Sequence, residues 1–118
     1  MAPYFYLFLY FASISLAGLS IAVMRTLKVS LPTWLGAVHG MAALFGLAAF
    51  FVVNLRFGDE GGSYAWWSLG IFSLGLIGGL IFFRVLFPKK APIWTYAGHG
   101  MLAVIGLSFL YFPAFMVG

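Results

Sequence analysis

Four stretches of about 20 apolar residues, each enough to cross a hydrocarbon layer of roughly 30 Å, take up almost the whole of this chain. They run approximately over 4–24, 32–54, 64–87 and 92–114. With 64% hydrophobic and 7% charged residues and a mean hydropathy of +1.11, no water-soluble surface can be built from this chain. The expected fold is therefore all-α: a polytopic membrane protein, a four-transmembrane-helix bundle in which 1–118 form a single membrane domain.

A formal charge of +4 would suggest nucleic acid in a soluble protein, but here the six basic residues mark topology. Arg25 and Lys28 lie between the first two spans, and Arg84, Lys89 and Lys90 lie at the end of the third and before the fourth. By the positive-inside rule both connections face the cytoplasm, and both termini face away from it. Only Arg56 lies on the other side, in "RFGDEGGS" with Asp59 and Glu60, where the two carboxylates sit among glycines and are expected to be solvated. The first span has no basic residue ahead of its apolar run, so it reads as a retained helix and not a secretory signal. The expected location is a membrane of the bacterial inner-membrane type, with the lipid bilayer as the main partner.

Sliding the chain by 60 residues reveals internal matches. Tyr4/Tyr64, Leu9/Leu69, Ser13/Ser73, Leu16/Leu76, Gly18/Gly78 and Ile21/Ile81 are identical pairs. The match tightens between "PTWLGAVHGMAALFGL" and "PIWTYAGHGMLAVIGL", where Pro32/Pro92, Trp34/Trp94, His39/His99, Gly40/Gly100, Met41/Met101 and Gly46/Gly106 coincide. Chance pairs of Leu or Ala follow from composition, but Pro, Trp and His in register do not. Each copy is a two-span hairpin that begins and ends on one side, so the expectation is two parallel repeats, 4–57 and 64–117. An axis along the membrane normal would relate them, with helices two and four near it.

Ser30 is expected to cap the second helix with Pro32 in its first turn, and Pro92 to open the fourth after the Pro88 break. Trp34 and Trp94 then fall at the cytoplasmic interface, and Tyr4, Tyr6, Trp66 and Trp67 at the outer one. Ser15, Gly18 and Ala22, and likewise Gly75 and Gly78 near Ser73, form small-residue faces for close helix packing. The "GGL" at Gly78–Leu80 lies mid-span and is no phosphate loop.

The two histidines are the only chemistry-bearing side chains at depth. Seven residues are nearly two turns, so Pro32, His39 and Gly46 share a stripe with Ala43 beside them, as do Pro92, His99, Gly106 and Ala103. Each imidazole projects from small residues that leave room for something flat and wide. Intramembrane ionisable residues face the bundle interior and mark function by default, and neutral imidazole is a common metal ligand. Three readings follow: paired axial ligands of one b-type haem, hydrogen bonding to a neighbouring helix with Ser13 and Ser73 as partners, or a quinone or single-ligand pigment site.

Other chemistries are disfavoured. Without cysteine there is no disulfide, thiolate metal site, iron–sulfur cluster or covalent haem attachment. No carboxylate lies within a span to orient a histidine as in a hydrolytic triad or to carry protons in an exporter. In plan, four spans with histidines on symmetric helices resemble the membrane-embedded b-type cytochromes, and that likeness implies haem held between two imidazoles. The expected site is then His39 and His99 as metal ligands, with Ala43, Gly46, Ala103 and Gly106 beside the cofactor. The expected role is an electron-transfer subunit working with quinone or a larger respiratory or photosynthetic complex. The alternative is a cofactor-free accessory subunit within a larger membrane complex or homo-oligomer, and an electron-transfer or accessory subunit is expected ahead of a stand-alone enzyme.

Overall fold

A computed structural model describes residues 2–116, with the backbone alone at 60 and 61. The end of the second expected repeat, Val117, and the Glu60 side chain lie outside the described residues. The chain forms four helices, α1 (Ala2–Thr26), α2 (Trp34–Asp59), α3 (Gly62–Leu86) and α4 (Ile93–Met116), each long and apolar enough to span a membrane. They pack as an elongated bundle of 44 × 22 × 21 Å.

The helix ends follow from local chemistry. Lys28 adopts a left-handed φ of 61°, and Lys28 N–H donates to the Arg25 carbonyl while Val29 N–H donates to that of Met24. This pairing closes the last turn of α1 and stops it. α2 begins at Trp34 with Thr33 as N-cap and no side-chain cap, so Ser30 does not cap it. Pro32 lies just ahead of the helix, its carbonyl accepting from Leu35 N–H. α4 opens on Pro92 as N-cap in extended backbone, the place expected from the Pro88 break.

The connection between α2 and α3 is far tighter than the expected eight-residue "RFGDEGGS" loop. Helix continues through Arg56 to Asp59 and resumes at Gly62, whose φ of 63° and ψ of −160° are open almost only to glycine. Asp59 is exposed there, as expected. The final turns of α3 (Ile81–Leu86) and of α4 (Phe112–Met116) are wound as π-helix, which rotates their side chains relative to a continuous α-helix.

The core is one-sided. Tyr4, Leu7 and Phe11 of α1, Phe50 of α2, Ala65 and Phe72 of α3, and Leu110 and Ala114 of α4 are the buried hydrophobic side chains among the described residues. All lie in the half of the bundle nearer Gly62. Phe11 and Phe72 stack with ring centroids 4.3 Å apart and planes inclined by 8°, and Phe50 packs against both. Below them Tyr4 O–H donates to Asn54 Oδ1 at 2.9 Å, and Asn54 Nδ2 donates to the Ala65 carbonyl at 3.2 Å. Tyr4 was expected at the outer interface but is fully buried, because its hydroxyl reaches inward to this asparagine. Tyr6, Trp67, Trp34 and Trp94 are exposed, as an interfacial belt requires.

Candidate functional site

The other half of the bundle, toward the basic connections, holds the histidines. His39 on α2 and His99 on α4 face each other with ring centroids 6.4 Å apart and planes inclined by 71°. Both are half-buried, and the Nδ1 of each is buried with no hydrogen-bond partner. Ser13 and Ser73 do not supply one: their hydroxyls turn back to donate to the Leu9 and Leu69 carbonyls of their own helices. Leaving a buried polar atom without a partner costs about 1–3 kcal/mol, so two such nitrogens on one facing pair of rings single it out as the candidate site.

A glycine stands against each imidazole. A Cβ built on Gly18 of α1 would lie 2.8 Å from His39 Cε1 and 3.1 Å from Nε2. One on Gly79 of α3 would lie 2.8 Å from His99 Cε1 and 3.2 Å from Nδ1. Only glycine leaves room for the rings, and Phe83 closes on His99 edge-to-face at 5.6 Å. The site thus draws residues from all four helices. Gly18 reads from sequence as a packing residue, whereas Gly79 is passed over in favour of Gly78, beside which a Cβ would meet nothing within 4 Å. The adjacent "GG" is the signal that was available.

Ala43 and Ala103 are half-buried one turn from their histidines. Gly46 and Gly106, one turn further, are buried under aromatic rings: a Cβ on Gly46 would lie 2.5 Å from Tyr10 Cε1 and 3.0 Å from Phe11 Cζ, and one on Gly106 would lie 2.6 Å from Phe72 Cε1. The Tyr10 hydroxyl donates to the Ala42 carbonyl at 2.6 Å, and Ser68 donates to that of Gly106 at 2.7 Å. These rings form a floor, so the space beside Gly46 and Gly106 is filled by the protein itself.

Two imidazole nitrogens bonded to one metal at about 2.0–2.1 Å would set their ring centres roughly 6 Å apart, close to the observed separation. Among the described residues no group of three or more His, Cys, Asp or Glu side chains gathers to form a metal cage. Two opposed imidazoles alone are the donor set that a macrocycle-bound metal needs from a protein. The unpartnered nitrogens and the glycine cradles fit such a group. Compared with known proteins, the chain matches no family model, and no curated protein or solved structure is significantly similar to it.

Proposed function

We propose that this chain is a small integral membrane b-type haem protein, or subunit of a larger complex, that passes electrons to or from quinone or a respiratory or photosynthetic partner. The observation that carries the reading is the facing imidazole pair with two buried, unpartnered Nδ1 atoms. His39 and His99 would hold one haem, with Ala43 and Ala103 beside it. Bound there, the haem would supply one-electron transfer.

The remaining work belongs to the chain's own residues. Gly18 and Gly79 let each ring approach the neighbouring backbone and hold its orientation. Tyr10, Phe11 and Phe72 shut the site off from the Gly62 end and keep water out on that side. On this reading the chain consists of two parallel hairpins related by an axis along the membrane normal, which makes His39 and His99 equivalent in depth. Arg25, Lys28, Arg84, Lys89 and Lys90 would face the cytoplasm and both termini would face away from it, in a membrane such as the bacterial inner membrane.

A reduced-minus-oxidised absorption spectrum of protein purified from haem-replete cells tests this directly. The expected result is a low-spin b-type signal, converted or abolished by either His39→Ala or His99→Ala. A colourless protein would remove the proposal; loss from only one of the substitutions would indicate a single-ligand pigment site.

A further inference from the structure

One cluster of charge is not absorbed by the imidazole pair. Arg25 at the end of α1 and Arg84 in the π-wound end of α3 converge on Gly36 in the first turn of α2. A Cβ on Gly36 would lie 3.6 Å from one Nη2 of Arg25 and 3.8 Å from that of Arg84, which bounds the separation of the two nitrogens at 7.4 Å. Like charges this close repel, and among the described residues no acidic side chain lies near them. Asp59, the acidic side chain described, ends α2, on the order of 30 Å away at 1.5 Å per residue. The free N–H groups at the start of α2 add further positive potential at the same point. Gly36 is three residues before His39, so the two guanidiniums stand about one helical turn from the imidazole pair.

We infer that Arg25 and Arg84 form a two-guanidinium seat for the carboxylates of the group that His39 and His99 hold, a step that rests on reading that group as haem. Planar guanidinium forks match carboxylates in paired hydrogen bonds. The arginines lie outward of the histidines, on the side away from the aromatic floor, so a ligand with an apolar body and acidic tails enters body first. The tails neutralise the paired charge, and the apolar part displaces lipid or water next to small residues. Arg84 lies in the π-wound end of α3 and reaches the same point beside Gly36 as Arg25. The arginine seat makes binding depend on ionised tails, where the imidazoles alone would accept any planar iron macrocycle.

The test compares binding of haem b with that of its dimethyl ester, in which both carboxylates are neutral, to the haem-stripped full chain in detergent. It is read by spectral titration of the wild type and of the Arg25→Gln/Arg84→Gln double variant. Both arginines are exposed, so their replacement leaves the core packing intact, and helix content by circular dichroism checks this. The expected result is at least tenfold tighter binding of haem b than of the ester by the wild type, and near-equal binding by the double variant. Equal binding of both by the wild type, or preserved preference in the double variant, overturns the arginine assignment while leaving the histidine site standing. Failure of the wild type to bind either compound overturns both. If mass spectrometry of the purified protein finds an anionic phospholipid that the double variant loses while its preference for haem b persists, the arginines serve lipid and the inference falls.

Discussion

A single methyl group decides the fate of each histidine ring. At Gly18 and at Gly79 an added Cβ would fall 2.8 Å from an imidazole carbon, closer than non-bonded carbons settle, so the ring must leave its position. On the proposal that the pair holds haem, Gly18→Ala and Gly79→Ala are therefore expected to lower the bound-haem ratio several-fold or turn the spectrum high-spin, with helix content unchanged. Gly40→Ala and Gly100→Ala, where a Cβ meets nothing within 4 Å, are the matched controls and are expected to keep the signal. Equal losses at all four positions would mean that the contacts with Gly18 and Gly79 have no special role. The histidines were legible in the sequence because they are the only imidazoles in an apolar chain. Gly79 was not, because a glycine on a helix is identified by what stands opposite it, and that is set by how neighbouring helices are rotated.

Hairpin geometry is decided at the level of single elements. The turn between α2 and α3 depends on Gly62, whose φ of 63° and ψ of −160° cost a residue with a side chain about 1–3 kcal/mol. Gly62→Ala is expected to destabilise the protein by that amount, measured as a lower midpoint in a denaturing-detergent titration. Gly70→Ala, within α3 and open around its Cβ, is expected to change it little, and an equal effect at both sites would contradict the assignment of strain to the turn. Span positions were readable from hydropathy to within a few residues because hydrocarbon thickness sets helix length. The start of α2 and the tightness of its exit were not. A polar, glycine-rich octapeptide suits both a loop and the flanks of a sharp turn, and only the path of the packed helices selects between them. In the same way a 60-residue offset sets Arg25 opposite Val85, whereas in the fold it is Arg84, within the π turn at Ile81–Leu86, that approaches Gly36 together with Arg25.

Across the whole molecule the four helices divide into an aromatic half and a histidine half. Phe11, Phe50 and Phe72 lock the first, while the second keeps small residues around two imidazoles and two arginines at its mouth. The proposed orientation is tested by cysteine labelling in intact cells. A cysteine at Ser63 is expected to react with a membrane-impermeant reagent and one at Ser30 is not, and the reverse pattern would invert the topology.

Composition and period determined that this chain makes four apolar helices, since hydropathy and length are additive properties that read directly from residues. The pairing of His39 with His99 was also foreseeable, because their surrounding motifs match. Tertiary structure alone decided that Tyr4 turns inward to Asn54, that Tyr10, Phe11 and Phe72 cover Gly46 and Gly106, that Gly79 stands against the His99 ring, and that Arg84 meets Arg25 beside Gly36. Each of these depends on the rotation and register of one helix against another. In an all-apolar helix every face carries similar hydrophobicity, so no amphipathic stripe records which face turns inward, and packing makes the choice.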